Sequence, residues 1–376
     1  MSERLEGKVG NMADVIVVGA GPAGAAAAKR CAENGLETLL LEKRKLPRDK
    51  VCDGMIMGPV AKRLIKQEYG DIPDNVLTQP QSINGYTMHV PGMGQYNVDN
   101  FTWLTWRRNL DYWMSQQAQA KGAQLWSETR VINLKQKGKG FAVIVEKGWK
   151  QQELSARFIV GADGATSRVR SLLFPGYKVA YAQVYEEWYR GELDIDQTYF
   201  HWFYPVEFSP ALFCYHCKDN LFQIDYAGRM GILSQLVPYT RNYLAKQHGF
   251  DSSQEPVWHS GCVQPSMVRD LIAHAFVPAK GNALLAGEAG GFVLPISGEG
   301  IGTAMKTGLA AASSVIAASK SGAPAEQTYV SEVQSTIAAF KDILPWFKEI
   351  MTDTKAGGRS LAKILAQAYT ATIREF

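Results

Sequence analysis

The chain has 376 residues, of which 46% are hydrophobic and 20% charged, a composition typical of a globular protein with a large core and two domains. The net charge of +4 is mild and dispersed, which excludes the class of nucleic-acid-binding proteins. Five scattered cysteines, with no signal-like segment before the first strand, predict a cytoplasmic protein with free thiols. Residues 1–11 are polar and are expected to form a flexible leader.

The first predicted element is a strand–turn–helix–strand unit. Residues 15–18 form an apolar, β-branched strand, the turn reads GAGPAG, and an alanine-rich helix follows over residues 25–34. The second strand, residues 37–41, ends on Glu42. Glycines in this pattern allow a tight turn, a close approach of backbone amides to a pyrophosphate, and close packing of the helix on the strand. Glu42 follows the turn by about 20 residues, where a carboxylate can accept hydrogen bonds from a ribose. The pattern predicts a dinucleotide site.

The segment after Glu42 is basic and rich in turns. One or two of its cationic side chains are predicted to face the dinucleotide, and the alternative is a solvated loop; they are Lys43, Arg44, Lys45, Arg48 and Lys50. Cys52-Asp53-Gly54 comes next, and residues 58–68 predict a helix. Residues 83–96 read as short strands that begin a second sheet.

Two later segments repeat the pattern of a buried strand that runs into glycines. Residues 131–158 predict a three-stranded meander, and its last strand continues into GADG at residues 161–164, which is expected to re-enter the first sheet. Residues 281–302 form a third strand-to-glycine turn before a helix that ends near Lys320. Two phosphate-type turns far apart in the sequence predict one long cofactor held at both ends, which favours FAD over NAD.

The region 177–264 is dense in aromatic residues and predicts a sheet with one buried face, a minority of whose aromatics line a substrate cavity. The tail from Gly322 is predicted to be helical, with a break around residues 355–358. An apolar stripe in residues 340–351 is expected to pack on the body, with peripheral membrane contact as the alternative. The apolar run 309–318 is too short to span a bilayer.

Four segments together resemble one family: GAGPAG with Glu42, WRRNLD at 106–111, residues 161–170 and residues 287–301. The resemblance is to the flavoprotein monooxygenase superfamily with the para-hydroxybenzoate hydroxylase fold, and within it to the geranylgeranyl reductase branch. Glu288 stands where the family usually has aspartate. In the sheet region FHWFYP at 200–205 resembles the reductase motif Tyr-x-Trp-x-Phe-Pro with both flanking aromatics altered, and no Gly-x-Gly follows. The halogenase motif Trp-x-Trp-x-Ile-Pro fits less well.

The resemblance implies an α/β fold with a Rossmann-like FAD-binding domain, an inserted mixed or antiparallel β-sheet for the substrate, and C-terminal helices. The FAD-binding domain would comprise residues 13–80, 104–176 and 270–320. The substrate domain would comprise residues 81–103 and 177–269, and the helical segment residues 321–376. The cofactor-binding residues implied are Gly19, Gly21, Ala23, Gly24, Glu42, Lys43, Arg48, Cys52, Asp53, Gly54, Arg107, Val131, Asp163, Gly287, Glu288, Gly300 and Ile301.

The predicted activity is an FAD-dependent reduction of carbon–carbon double bonds in an apolar, prenyl-like substrate. Cys52 is the candidate residue beside the flavin ring, and His201 and Tyr204 are candidate proton donors. Phe200, Trp202 and Tyr204 are candidate substrate contacts. One alternative is a monooxygenase or halogenase acting on an aromatic or carrier-bound substrate. Another is a flavin-binding interaction protein without catalysis.

Partners and metals are less specified by the sequence. No second dinucleotide motif is present, so the electron donor stays open among NADPH, ferredoxin and reduced flavin, and an electron-donor protein is one option. The CxxC pair formed by Cys214 and Cys217 has no second ligand pair at metal spacing, so no metal site is predicted. No cysteine follows Cys262, which argues against an iron–sulfur centre.

Overall fold

The structure is a computed structural model that describes residues 12–294, 296–355 and 360–374. The leader predicted at residues 1–11 lies outside these ranges, as does the break predicted around residues 355–358 apart from the backbone of residue 355. The helices are α1 Pro22–Glu33, α2 Pro59–Tyr69, α3 Arg107–Ala120, α4 Arg168–Leu173, α5 Leu233–His248, α6 Val268–Ile272, α7 Ile301–Ser321, α8 Ala325–Glu332, α9 Gln334–Lys355 and α10 Leu361–Arg374.

The strands are β1 Met12–Val18, β2 Thr38–Leu41, β3 Met55–Ile56, β4 Leu77–Val90, β5 Gly94–Thr105, β6 Gln124–Trp126, β7 Arg130–Lys137, β8 Gly140–Lys147, β9 Lys150–Gly161, β10 Ala180–Arg190, β11 Tyr199–Phe203, β12 Leu212–Lys218, β13 Leu221–Arg229, β14 Trp258–Ser266, β15 Ala279–Lys280 and β16 Ala283–Leu285. Among the described residues they form two sheets, which we call the cofactor sheet and the substrate sheet.

The cofactor sheet has the order β15–β16–β9–β1–β2–β6, and β7 and β8 extend it antiparallel from β9. Strands β16, β9, β1, β2 and β6 run parallel. The residues of β1, β2 and β16 are mostly buried because helices cover the sheet. Helix α1 crosses α7 so closely that a Cβ on Gly308 would lie 2.2 Å from the Ala23 carbonyl oxygen. Alanine and glycine at this crossing bring the two helix backbones together.

The substrate sheet has the order β14–β10–β13–β12–β11–β4–β5–β3. Its strands are antiparallel except for the pair β11 and β4, so the sheet is mixed as predicted. One face packs against α5, and the other carries the cluster to which α10 contributes. The Tyr369 ring on α10 lies 4.6 Å from that of Tyr86 and 4.9 Å from that of Trp202, between ring centroids.

The substrate sheet also includes more residues of the N-terminal half than the sequence predicted. Strands β4 and β5 span residues 77–105 rather than 83–96, and the short strand β3 pairs with β5. The pairing of β4 with β5 shifts register between Leu77 and Ser82, where Pro80 and polar neighbours interrupt the alternation. This irregularity hid the start of the strand from a reading based on period-two patterning.

The C-terminal helices pack on the body for most of their apolar surface. Phe340, Ile343 and Ile350 are buried, whereas Phe347 and Met351 are exposed. Helix α7 is long and apolar enough to cross a membrane by length and composition, but 72% of its most apolar window is buried inside the protein. A buried core helix passes the same test, and that is the position of α7 here. Membrane contact by α9 stays a prediction.

Candidate active site

A cavity of about 1450 Å³ lies between the glycine turns of the cofactor sheet and one face of the substrate sheet. All the predicted cofactor-binding residues line it except Gly24, including the side chains or backbone of Glu42, Lys43, Arg48, Arg107 and Val131. The structure therefore brings together segments that are up to about 280 residues apart in the chain. A volume of this size suits a dinucleotide together with a substrate.

The first glycine turn shows which glycines serve the fold and which face the cavity. A Cβ on Gly24 would lie 1.8 Å from the Gly19 carbonyl oxygen, and one on Gly19 would lie 2.3 Å from the Ala162 carbonyl oxygen. A Cβ on Gly21 would meet no protein atom closer than Arg107 Nη2 at 3.8 Å. Gly21 is also the N-cap of α1 and provides no side-chain cap. The space at Gly21 and the amides at this helix N-terminus suit a phosphate group.

Charged side chains surround this turn. Arg107 donates two hydrogen bonds to Asp111, at 2.9 and 3.0 Å, and Arg48 Nη1 lies 3.1 Å from the same carboxylate. Burial acts to raise the pKa of Asp111, but the guanidinium groups of Arg107 and Arg48 hold it below its usual range. Glu42 accepts hydrogen bonds from the amides of Ala20 and Arg44, at 3.1 and 2.9 Å. Asp111 thus fixes the two arginines beside the turn.

Asp163, which the resemblance assigns to cofactor binding, also stabilises the start of a helix. Its carboxylate accepts hydrogen bonds from the Ser167 hydroxyl and from the amides of Arg168 and Val169, the latter two at 2.6 and 3.1 Å. It therefore holds the first turn of α4 while it lines the cavity. Burial raises its pKa, against these hydrogen bonds.

The second glycine turn approaches the first across the sheet. The Gly287 amide donates to the Thr307 hydroxyl at 2.9 Å, and Glu288 Oε2 lies 3.6 Å from Lys50 Nζ. Gly300 is the N-cap of α7, and a Cβ there would meet no protein atom closer than 3.7 Å. Glu299, which the sequence analysis did not single out, is buried and accepts a hydrogen bond from the Gly302 amide at 2.9 Å.

The two turns therefore fit FAD. Gly21 and Gly300 leave open space toward one cavity at the N-termini of two different helices, α1 and α7. Helix N-termini of this kind stabilise negative charge, which FAD carries on its pyrophosphate and on its ring when reduced.

The opposite wall is a row of side chains across the substrate sheet. Registered neighbours bring Ser260, Glu186, Asp225, Cys214 and Trp202 into one line on one face. All of them except Glu186 line the cavity. Because side chains alternate between faces along a strand, the strand neighbours of Trp202 and Cys214 point to the other face, where Phe203, Phe213 and Tyr215 form a separate cluster.

Three of the predicted catalytic and substrate residues lie away from the cavity, and the alternation accounts for His201 alone, since Phe200 and Tyr204 pack in the same cluster as Trp202. His201 faces away from the cavity: its Nδ1 lies 2.9 Å from His89 Nε2, and its Nε2 lies 2.7 Å from the Asp196 carbonyl oxygen. Tyr204 is buried with its hydroxyl on Ser209, and Phe200 packs against Trp202 and His216. None of the three lines the cavity. Trp202 does, and it is the substrate contact that the geometry retains.

Cys52 lies where the two walls meet. It lines the cavity, and its amide donates to Glu186 Oε2 at 2.6 Å. Burial raises the pKa of its thiol, so the group is held as a thiol rather than a thiolate. Cys214 and Cys217 lie on opposite faces of β12, with Cys217 Sγ 3.0 Å from the Tyr215 hydroxyl. They cannot ligate one metal together.

Buried charged groups, which sequence reasoning missed, stand behind the wall. Lys218 Nζ donates to the carbonyl oxygens of Asp53 and Thr105, at 2.6 and 3.3 Å, and lies 4.0 Å from the centroid of a Trp106 ring. Burial raises the pKa of Glu186 to about 8. No motif signals these groups, because they come from two separate strands, β12 and β10.

Comparison with known proteins identifies the cofactor class. Residues 12–188 match the family model described as FAD binding domain. The chain is 29% identical over 328 residues to a geranylgeranyl diphosphate reductase from Rhodobacter capsulatus, covering 83% of this chain and 77% of the relative.

Solved structures agree on the fold. A geranylgeranyl bacteriochlorophyll reductase-like protein from Thermoplasma acidophilum superposes with a TM-score of 0.69 at 15% identity, covering 96% of this chain and 90% of the other. The flavin-dependent brominase Bmp2 superposes with a TM-score of 0.73 at 13% identity, covering 96% and 94%. Residues 12–188 thus carry an FAD-binding domain, and the chain is an FAD-dependent oxidoreductase with the fold of the para-hydroxybenzoate hydroxylase-like flavoproteins.

Proposed function

We propose that this flavoprotein reduces carbon–carbon double bonds of an apolar, prenyl-like substrate. The observation that carries the proposal is the composition of the cavity beyond the glycine turns. There the lining is largely apolar or aromatic, and includes Trp202, Leu212, Ala227, Met230 and Trp258. Such a wall suits a hydrocarbon chain. The similarity to a geranylgeranyl diphosphate reductase supports the same substrate class.

The chain's own residues would hold and orient the reactants. Bound FAD supplies two-electron redox chemistry at its ring. The turn at Gly21 and the guanidinium of Arg107, fixed by Asp111, would neutralise the pyrophosphate. The N-terminus of α7 at Gly300 would stabilise negative charge on the reduced ring. The apolar wall would exclude water from the substrate, and Cys52 would lie beside the reacting bond as a neutral thiol.

The test uses the purified protein loaded with FAD and reduced with dithionite under anaerobic conditions, which bypasses the unidentified electron donor. Geranylgeranyl diphosphate is the probe, and mass spectrometry counts the hydrogens gained. We expect products heavier by one or more pairs of hydrogens and no requirement for oxygen. Failure to reduce any prenyl probe under these conditions overturns the proposal.

The monooxygenase or halogenase alternative has a specific observation in its favour, which is the superposition on a flavin-dependent brominase. It predicts the opposite dependence on oxygen. With the same reduced protein, product formation from an aromatic probe would require oxygen, and for a halogenase also a halide ion. A protein that takes up FAD but converts neither probe would instead favour a flavin-binding role in protein interaction without catalysis.

A further inference from the structure

Buried polar atoms without partners are concentrated behind the cavity wall of the substrate sheet. Such atoms are rare in folded proteins, since burial without a hydrogen-bond partner destabilises the fold, and a group of them calls for an explanation. Among the described residues, those gathered at this wall are Asp53 Oδ1, Trp202 Nε1, both ring nitrogens of His216, Gln223 Oε1 and Asp225 Oδ2.

The sheet register explains why these atoms meet. Asp225 is paired with Glu186 on one side and with Cys214 on the other, and His216 is paired with Gln223 in the next row. Asp53 comes from the segment before β3 and lies over this part of the sheet. One ligating atom each of Asp53, His216 and Asp225 lies within 4.8 Å of the other two. Asp53 and Asp225 both line the cavity.

One carboxyl oxygen of Asp53 lies within 4.8 Å of one of Asp225, and neither Asp53 Oδ1 nor Asp225 Oδ2 has a donor among the described residues. A hydrogen bond between two carboxyl groups requires that one of them carries a proton. The other Asp225 oxygen, Oδ1, accepts a hydrogen bond from Gln223 Nε2 at 3.0 Å, so Oδ2 is the oxygen left to share a proton with Asp53. The geometry is that of two acids that share one proton, as in sites where like charges cannot both ionise.

The local charge balance supports a retained proton. Three carboxyl groups, of Asp53, Asp225 and Glu186, share this region with one ammonium, of Lys218. Lys218 donates its hydrogen bonds to two carbonyl oxygens rather than to a carboxylate. Burial raises the pKa of Asp225, and the neighbouring Asp53 and Glu186 raise it further. Burial and the charge of Lys218 lower the pKa of His216, which keeps that ring neutral.

We propose that Asp53 and Asp225 form an acid pair that holds one proton at the cavity wall and delivers it to the substrate. The proposal rests on the proposed alkene reduction. That reaction adds two electrons and two hydrogen nuclei: reduced flavin accounts for the electron pair and one hydrogen, and the acid pair provides the proton that forms the second C–H bond as the π bond breaks. The pair is left as two carboxylates, and a proton from water restores it.

Several groups face the pair and would shift its titration. They are Glu186 on β10, Cys214, His216 and Lys218 on β12, Cys52 next to Asp53, Glu299 before α7 and Tyr369 on α10. A pH profile of activity would therefore mix their effects, and the test needs a direct observation of the protonated carboxyl group.

Infrared spectroscopy of the FAD-loaded protein gives that observation, because the carbonyl stretch of a protonated carboxyl group is distinct and shifts in D2O. We expect such a band at about pH 7, above the range in which an ordinary aspartate keeps its proton. Because Glu186 also keeps a proton at this pH, the band of the pair is followed in Glu186→Gln. In that background it should disappear when Asp225→Asn is added, since Asp53 can then ionise alone, and persist when Asp99→Asn is added, which removes an exposed carboxyl group from the same sheet. The wild-type spectrum needs no variant to fold: no protonated carboxyl band at neutral pH overturns the proposal.

Two further measurements complete the test. Elemental analysis that finds one divalent cation per chain, lost in Asp225→Asn, would replace the shared proton with a metal site and overturn the proposal. In the dithionite assay, Asp225→Asn should slow alkene reduction roughly 10²–10⁴-fold, the usual contribution of a general acid. Loss of the band with unchanged reduction overturns the donor role alone. A wild-type protein that shows the band but reduces no alkene overturns the proposed function instead.

Discussion

Replacing Glu186 with glutamine should remove a pH dependence from the stability of the fold. Burial raises the pKa of this carboxyl group from its ordinary 4.5 to about 8. Between those values the folded protein keeps a proton that the unfolded chain has released, so stability is present at low pH and is lost as pH rises through about 8. At about 1.4 kcal/mol per pH unit, the loss attributable to Glu186 across that interval is about 5 kcal/mol.

The substitution also has a pH-independent cost. Glu186 accepts hydrogen bonds from the Cys52 amide at 2.6 Å and from the Trp188 indole. A glutamine carbonyl can accept only one of them and turns its NH2 toward the other donor, at a cost of about 1–3 kcal/mol. Glu186→Gln should thus be less stable than the wild type at about pH 5 and more stable at about pH 8, with the two curves crossing near pH 6.

Urea denaturation of the FAD-saturated protein at a series of pH values measures this difference. Asp99→Asn, which removes an exposed carboxyl group from the same sheet, is the matched control and should follow the wild type. Curves for Glu186→Gln and wild type that stay parallel from about pH 5 to about pH 8 would refute the reasoning. They would mean that Glu186 is already ionised in the fold at neutral pH.

Four other substitutions test the assignment of sites. Gly21→Ala should weaken FAD binding at least tenfold, measured by fluorescence titration, while the fold is kept. Gly24→Ala should unfold the protein, because its Cβ would lie 1.8 Å from a carbonyl oxygen. Equal behaviour of the two variants would contradict the assignment of Gly21 to the cavity and of Gly24 to the fold. Cys52→Ala should slow turnover without changing FAD affinity, and unchanged turnover would return Cys52 to a structural role. His201→Gln should leave turnover in the dithionite assay near that of wild type, since the ring faces away from the cavity; a large loss would contradict that orientation.

The cofactor side of the cavity could be predicted from the sequence because its information is local. Gly19, Gly21 and Glu42 stand in one contiguous strand–turn–helix–strand unit, where the backbone requirements of the turn restrict the residue types. The same holds for Gly287 and Gly300, each next to a buried strand or at a helix start. The fold class followed from these units, since two such turns imply a parallel sheet and one long ligand.

The substrate side could not be predicted in the same way. Glu186 and Asp225 are neighbours only because β10 pairs with β13 in one register, and the sequence of neither strand indicates that register. His201 and Trp202 show the related difficulty: adjacent in the sequence, they point to opposite faces, and an aromatic-rich strand with two buried faces gives no alternation to say which faces the cavity.

The segment around Asp53 combines a local sequence motif with contacts that arise only from the pairing of distant strands. The Cys52 amide donates a hydrogen bond to Glu186, and the Asp53 carbonyl oxygen accepts one from Lys218. A Cβ on Gly54 would lie 2.0 Å from the Thr105 carbonyl oxygen. Three consecutive residues are thus fixed by the substrate sheet while all three line the cofactor cavity. A segment held from both sides can keep a thiol and an acid at a constant distance from a bound ring, which a mobile loop could not do. The sequence Cys-Asp-Gly therefore owes its place at the cavity to buried polar contacts with the substrate sheet.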